Sequence, residues 1–190
     1  MNYRMLSRAV AAALALTVST VGIASAQMGS HGGGHGSAGG HGTAASIGQP
    51  GDASAVSRTV EVTMHDNYYE PESIAVSEGE TVRFVVRNAG AFVHEFSIAA
   101  AEMHQAHGAE MKMLVDHGVL LPDRIDHAAA ERMKASMGHG MRGAGNSVLL
   151  EPGQSGEVIW TFAQAKDLEF ACNVPGHYDA GMMGEFKIGH

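Results

Sequence analysis

The sequence predicts an all-β protein, a two-sheet sandwich carrying a mostly helical insertion, and three observations lead there. Short segments of alternating apolar and polar residues run from Arg58 to Ile98 and again from Ser147 to Ile188. Gly, Pro, Asn and Ser clusters punctuate them at close intervals, the pattern of a sandwich rather than of a parallel α/β sheet. Between the two runs, residues 99–145 turn to Ala, Glu, Met and Lys, which favour helix.

Val60, Val62 and Met64 alternate with Glu61 and Thr63, a period of two that implies one buried face. Tyr68 and Tyr69 precede Pro71, and Ile74 and Val76 mark a short second strand. Ser77-Glu78-Gly79-Glu80 reads as a turn before Val82, Phe84 and Val86. Asn88-Ala89-Gly90 breaks the chain ahead of a strand from Phe92 to Ile98. Later strands are expected at Ser147–Leu150, Glu157–Phe162, Leu168–Cys172 and Glu185–Ile188. In the insertion, helices are expected at Ala101–Val115 and Asp123–Met137, with Pro122 suiting the second start.

Ahead of this domain, residues 1–26 read as a signal peptide: Arg4 and Arg8, an apolar stretch from Ala9 to Val18, and Ala24-Ser25-Ala26 before Gln27. The apolar run falls short of the about 20 residues a membrane span needs, so export to a periplasm is expected rather than anchoring. Residues 27–57 form a Gly- and His-rich flexible leader, and residues 58–190 the folded domain with its insertion at about 99–145. His31, His35 and His41 of the leader are candidate metal binders, though the tract reads equally as solvated chain. Without Arg4 and Arg8, 10 Lys and Arg stand against 20 Asp and Glu, which argues against nucleic acid as a partner.

Chemistry concentrates in Ala171 to Gly184, A-C-N-V-P-G-H-Y-D-A-G-M-M-G. Cys172, His177 and Met182 fall at a C-x4-H-x4-M spacing, and Cys172 is the single cysteine of the chain. Thiolate, imidazole and thioether are three of the four donors of a blue-copper centre, two His and a Cys in a plane with a weak axial Met. His94, in F-V-H-E-F far upstream, is the best candidate for the fourth. A lone Cys is more usually a small buried hydrophobe, and a cysteine nucleophile with a distant His uses the same residue types. Zinc sites favour paired C-x2-C spacing, which is absent. A lone thiol in an oxidising compartment has no internal disulfide partner, and metal ligation would protect it.

On these residues the chain resembles the cupredoxins. The C-x4-H-x4-M loop is similar to that of rusticyanin-like single-copper proteins, and D-N-Y-Y-E-P through F-V-H-E-F-S-I resembles the first half of the family. The nearest likeness is to the periplasmic CopI-type cupredoxins of bacterial copper tolerance, covering about Arg58–Ile98 and Asn146–Ile188. The resemblance implies a Greek-key β-sandwich and one type 1 copper on His94, Cys172, His177 and Met182. It also places Met182 rather than Met183 at the axial position, Met183 pointing away and packing, and the Asn173 amide as a donor to sulfur. Many cupredoxins carry Asn after the first His; this chain carries Glu95, read either as an acceptor for Asn173 or as a solvated carboxylate.

Enzymes with similar loops place a His beside the Cys, whereas Cys172 lies between Ala171 and Asn173, so no catalytic activity is expected. Two functions remain: binding and redox-cycling copper in copper tolerance, or carrying single electrons between redox partners. Copper ions are the expected ligand, and a periplasmic redox protein or a copper oxidase or exporter the expected protein partner. Five His and six Met between Met103 and Met141 make this insertion a candidate for holding additional copper. Met103, His107, Met111 and Leu114 share a helical face, which reads as packed core before it reads as a metal track.

Overall fold

The computed structural model describes residues 47–137, 145–163 and 167–189. The expected signal peptide, the leader histidines His31, His35 and His41, and the loop with His139 and Met141 lie outside the described residues. The strands are β1 (Gly48–Pro50), β2 (Arg58–His65), β3 (Tyr68–Glu70), β4 (Ser73–Ser77), β5 (Thr81–Asn88), β6 (His94–Ala100), β7 (Ser147–Leu150), β8 (Ser155–Phe162), β9 (Leu168–Ala171) and β10 (Met183–Gly189). Helices α1 (Ala101–Asp116) and α2 (His127–Met137) fall between β6 and β7. One sheet runs β1-β8-β5-β2-β3 and the other β4-β10-β9-β6-β7.

Alternation decides which side chains meet between the sheets. Val82, Phe84 and Val86 of β5 are fully buried, while Val85 between them is exposed. Val158, Trp160 and Phe162 of β8 and Val62 and Met64 of β2 face the same interior. Phe84, Phe96, Phe162, Phe170 and Phe186 interlock at its centre, with the Phe162 and Phe186 ring centroids 5.0 Å apart. Burying each such side chain contributes about 1.5–3 kcal/mol, so this core dominates the stability.

β6 departs from the alternation because both its faces are covered. Phe96 and Ile98 point into the sandwich, while Glu95, Ser97 and Ala99 on the opposite face are buried too. Helix α1 lies over that outer face. Its own anchor is a second apolar cluster of Val93, Met111, Leu114, Val119, Leu120 and Ala129. The insertion is therefore packed on the sheet, and the packing reading holds for Met111 and Leu114, with Met103 against the main core.

Strand ends shift by one or two residues, and two expected boundaries move further. The folded domain begins upstream of residue 58: β1 pairs antiparallel with β8, Ile47 is buried, and Trp160 Nε1 donates to the Ile47 carbonyl at 3.2 Å. Glycine at position 48 permits this, with φ at 126° and the Trp160 indole against its Cα. Composition alone made this stretch look like coil. The second helix begins at His127 rather than Asp123. Leu120 and Ile125 form a β-bridge, the Pro122 carbonyl accepts from the Val93 N–H, and Asp126 Oδ1 caps the Ala129 N–H at 2.8 Å. Among the described residues no helix is long and apolar enough to cross a membrane.

Gly184 shows how tightly β10 packs against β9 and the start of β4. A Cβ there would overlap the Phe170 ring and stand 2.6 Å from the Glu72 carbonyl oxygen, which is backbone and cannot swing aside. Gly184→Ala should therefore cost about 1–3 kcal/mol, read as a fall in thermal midpoint; an unchanged midpoint would mean that this contact is loosely packed.

Candidate metal centre

Antiparallel pairing of β6 with β9 sets Ser97 opposite Ala171. His94, at the start of β6, thereby comes beside Cys172, the residue after β9 ends. Residues 172–182 then turn back on themselves. His177 N–H donates to the Val174 carbonyl, Met182 N–H to His177, and Cys172 N–H to Met182, at 2.9, 3.0 and 3.1 Å. Gly176 and Gly181, with φ of 88° and 93°, make the reversals that side-chain residues rarely adopt.

The structure brings three of the four expected ligands together. His94 Nδ1 and His177 Nδ1 are 3.1 Å apart, and Cys172 Sγ lies 3.9 Å from the first and 3.4 Å from the second. Among the described residues this is the one cluster of three His, Cys, Asp or Glu donors close enough to share an ion. A first-row metal at the centre of a plane, with bonds of about 2.0–2.3 Å, would space its donors by about 3.5–3.8 Å, so the triangle fits. Met182, the expected fourth ligand, is fully buried in the cluster that also holds Cys172, with backbone bonds to both Cys172 and His177. Met183 does point the other way, but it is exposed at the surface rather than packed.

A residue that sequence reasoning missed sets the state of His94. Asp66, in the turn after β2, takes a hydrogen bond from His94 Nε2 at 2.9 Å and another from the Ala91 N–H at 2.9 Å. With its proton held on Nε2, the ring presents the bare Nδ1 lone pair to the cluster, the tautomer a metal needs. Burial works against the Asp66 charge, but the bonds from His94 and Ala91 outweigh it and hold its pKa below the ordinary value. Burial also lowers the pKa of His94 and of His177, keeping both rings neutral donors. The Cys172 thiol is pushed up to about 12 by burial. It therefore keeps its proton until a metal displaces it.

The donor to sulfur differs from expectation. Glu95 N–H reaches Cys172 Sγ at 3.3 Å, whereas the Asn173 N–H points to Glu95 Oε2 at 3.4 Å. β6 runs directly past the cysteine, so its own amide takes the role expected of Asn173. The expected side-chain bridge is present: Asn173 Nδ2 donates to Glu95 Oε2 at 2.8 Å, and Glu95 is buried, not solvated. Beyond this pair, His107 Nε2 meets Glu95 Oε1 at 3.0 Å and His104 Nδ1 meets Asn173 Oδ1 at 3.1 Å. His104 was hidden in the helical pattern, and His107 was read only as part of a stripe.

The comparisons with known proteins agree with this fold. A family model described as a cupredoxin-like domain matches residues 42–107. The copper-resistant cuproprotein CopI of Pseudomonas aeruginosa is 43% identical over 152 residues, 75% of this chain and 82% of the relative. The chain belongs to the CopI family of cupredoxins. A second CopI, from Rubrivivax gelatinosus, is 37% identical over 159 residues, 83% of this chain and 82% of that protein. The structure of auracyanin B superposes with a TM-score of 0.54 over 76% of this chain and 97% of its own, at 19% identity, a likeness of fold. Within this CopI-family chain, the family match thus begins ahead of residue 58, and among the described residues β1 pairs with β8 there as well.

The Glu95–His107 pair has a pH signature. Its hydrogen bond to Glu95, against burial, raises the pKa of His107 from 6.5 to about 9. A His with a raised folded value contributes stability that is complete below pH 6.5 and lost as pH rises through about 9. Relative to His107→Gln, the wild-type protein should lose denaturation midpoint between pH 6.5 and 9. Parallel curves for the two proteins would mean that the pair does not form.

Proposed function

We propose that this chain is a periplasmic copper-binding cupredoxin of copper resistance, with one type 1 copper held by His94, Cys172, His177 and Met182. The observation that carries this reading is the part-buried triangle of two imidazole nitrogens and one thiol sulfur, with Asp66 2.9 Å from the other nitrogen of His94. When bound, copper would supply a one-electron couple between Cu(I) and Cu(II), and the two imidazoles, thiol and thioether of His94, His177, Cys172 and Met182 are donors that suit both states. The protein's part is to hold the donors. Cys172 yields its proton and its thiolate keeps the Glu95 N–H bond; the sandwich excludes water from one side of the plane, since His94 and Met182 are both fully buried. The copper-resistance role is supported by the two CopI relatives, and the periplasmic location by the leader pattern of residues 1–26.

Electron transfer to a redox partner is the second reading, and one observation favours it. His177 is half-buried, its ring 6.4 Å from that of exposed Phe92, so one ligand reaches toward the surface. The two readings share the metal site and differ in the partner, a copper oxidase or exporter for resistance and a redox protein for a shuttle. Additional copper on the insertion draws less support than its composition suggested, because Met103 and Met111 pack and His104 and His107 are hydrogen-bonded.

Cu(II) added to the metal-free protein should bind at one equivalent and give an intense thiolate-to-copper band in the visible, absent from Cys172→Ser. A fully loaded wild-type protein without that band would overturn the type 1 assignment. Loss of cellular copper tolerance in the Cys172→Ser strain separates resistance from shuttling, which predicts unchanged tolerance.

A further inference from the structure

The helical insertion reaches the metal end of the sandwich through two histidines that belong to no ligand set. His104 and His107 stand one turn apart on α1, the helix that covers the outer face of β6. Each grips a residue adjacent in sequence to a donor: Glu95 follows His94, and Asn173 follows Cys172. Glu95 divides its two oxygens, Oε1 to His107 Nε2 at 3.0 Å and Oε2 to Asn173 Nδ2 at 2.8 Å. Since Nδ2 of Asn173 faces the carboxylate, its Oδ1 must accept, and His104 Nδ1 supplies the proton at 3.1 Å. Glu110 closes the outer end on His107 Nδ1 at 3.0 Å. The result is an unbroken line, Glu110–His107–Glu95–Asn173–His104, that crosses from the helix through both ligand-bearing segments and back.

We infer that His104 and His107 are positioning residues for the metal centre, bracing it through Glu95 and Asn173, so that the insertion sets how tightly copper is held. The Glu95 side chain is 4% exposed, and a carboxylate buried that deeply cannot lose a partner without cost. Removing His107 leaves Oε1 unpaired; the carboxylate then turns or draws in water, and the Asn173 bond on Oε2 goes with it. The backbone N–H of Glu95 donates to Cys172 Sγ at 3.3 Å, beside that of Val174, so movement of β6 there is movement at the sulfur. Groups that orient ligands in this indirect way typically change metal affinity about 10–100-fold when removed. His107 is the better probe of the two, because a third of its side chain is exposed and the core does not depend on it.

The inference rests on the proposed copper site, and the test has one arm that does not. In the metal-free full chain, amide exchange at Glu95, Cys172 and Asn173 should speed up in His107→Ala, with the β5 and β8 amides unchanged. His107→Gln, which restores a donor at similar reach, should return the wild-type exchange. In the copper-loaded protein, His107→Ala should release copper to a chelator about tenfold faster and shift the visible band, whereas His107→Gln should stay near wild type. Lys112→Ala, on the same helix but paired only with Asp116, should leave all three readouts unchanged. Equal effects from His107→Ala and Lys112→Ala would make the helix a general stabiliser and overturn the brace. So would wild-type exchange and copper release in His107→Ala, checked in His104→Ala if the first variant is too unstable to load. Failure of wild-type protein to bind copper would strike the proposed function alone, because the exchange arm still decides the brace.

Discussion

Ser97 opposite Ala171 is a single pair in a ladder, yet the candidate metal centre depends on it, because the placement of His94 against Cys172 is counted from that register. Three residues back along β6 lies His94, and one residue beyond Ala171 lies Cys172. A slip of one residue would turn His94 out of the sandwich and bring Glu95 in, since side chains alternate with period two. The register is held by what it buries: Phe96 and Ile98 on one strand and Phe170 on the other, all fully inaccessible. Core packing of ordinary kind thus determines the geometry of an unusual cluster.

That cluster carries polar groups into a dry place, and three of them find partners there. His94 is satisfied by Asp66, Cys172 by the Glu95 amide, and Glu95 by Asn173 and His107. A buried carboxylate so near the Cys172 sulfur would be unfavourable alone. It is tolerated because α1 arrives with an imidazole whose raised pKa, about 9, keeps it charged at neutral pH. The insertion is therefore continuous with the metal end of the fold rather than an ornament on it.

Much of this was legible in the sequence, and the failures have physical reasons. Cys172, His177 and Met182 are close along the chain and of telling chemical type, so their spacing spoke directly. His94 was reachable because it stands in a strand-like segment, F-V-H-E-F, far upstream, as a site joining two parts of a sandwich needs. Asp66 was not, because its contact with His94 is made where the turn after β2 meets the start of β6, without any shared pattern. His104 and His107 looked like members of a Met-rich stripe, and only the cover of β6 by α1 shows what they touch. β1 was missed because a Gly-rich stretch reads as coil, although the glycine at 48 is what lets the chain pass the Trp160 ring. The start of α2 was misplaced because Pro122 suits a helix start, whereas its carbonyl is engaged by Val93.

The central claim is that the sandwich sets the donors before the metal arrives. Crystal structures of the full chain without metal and with copper test it directly. The account predicts that His94 Nδ1, His177 Nδ1 and Cys172 Sγ shift by no more than about 0.5 Å between the two, the tolerance of a preorganised site. A rebuilt loop over residues 172–182, or a His94 ring turned to bind through Nε2 with Asp66 released, would contradict it.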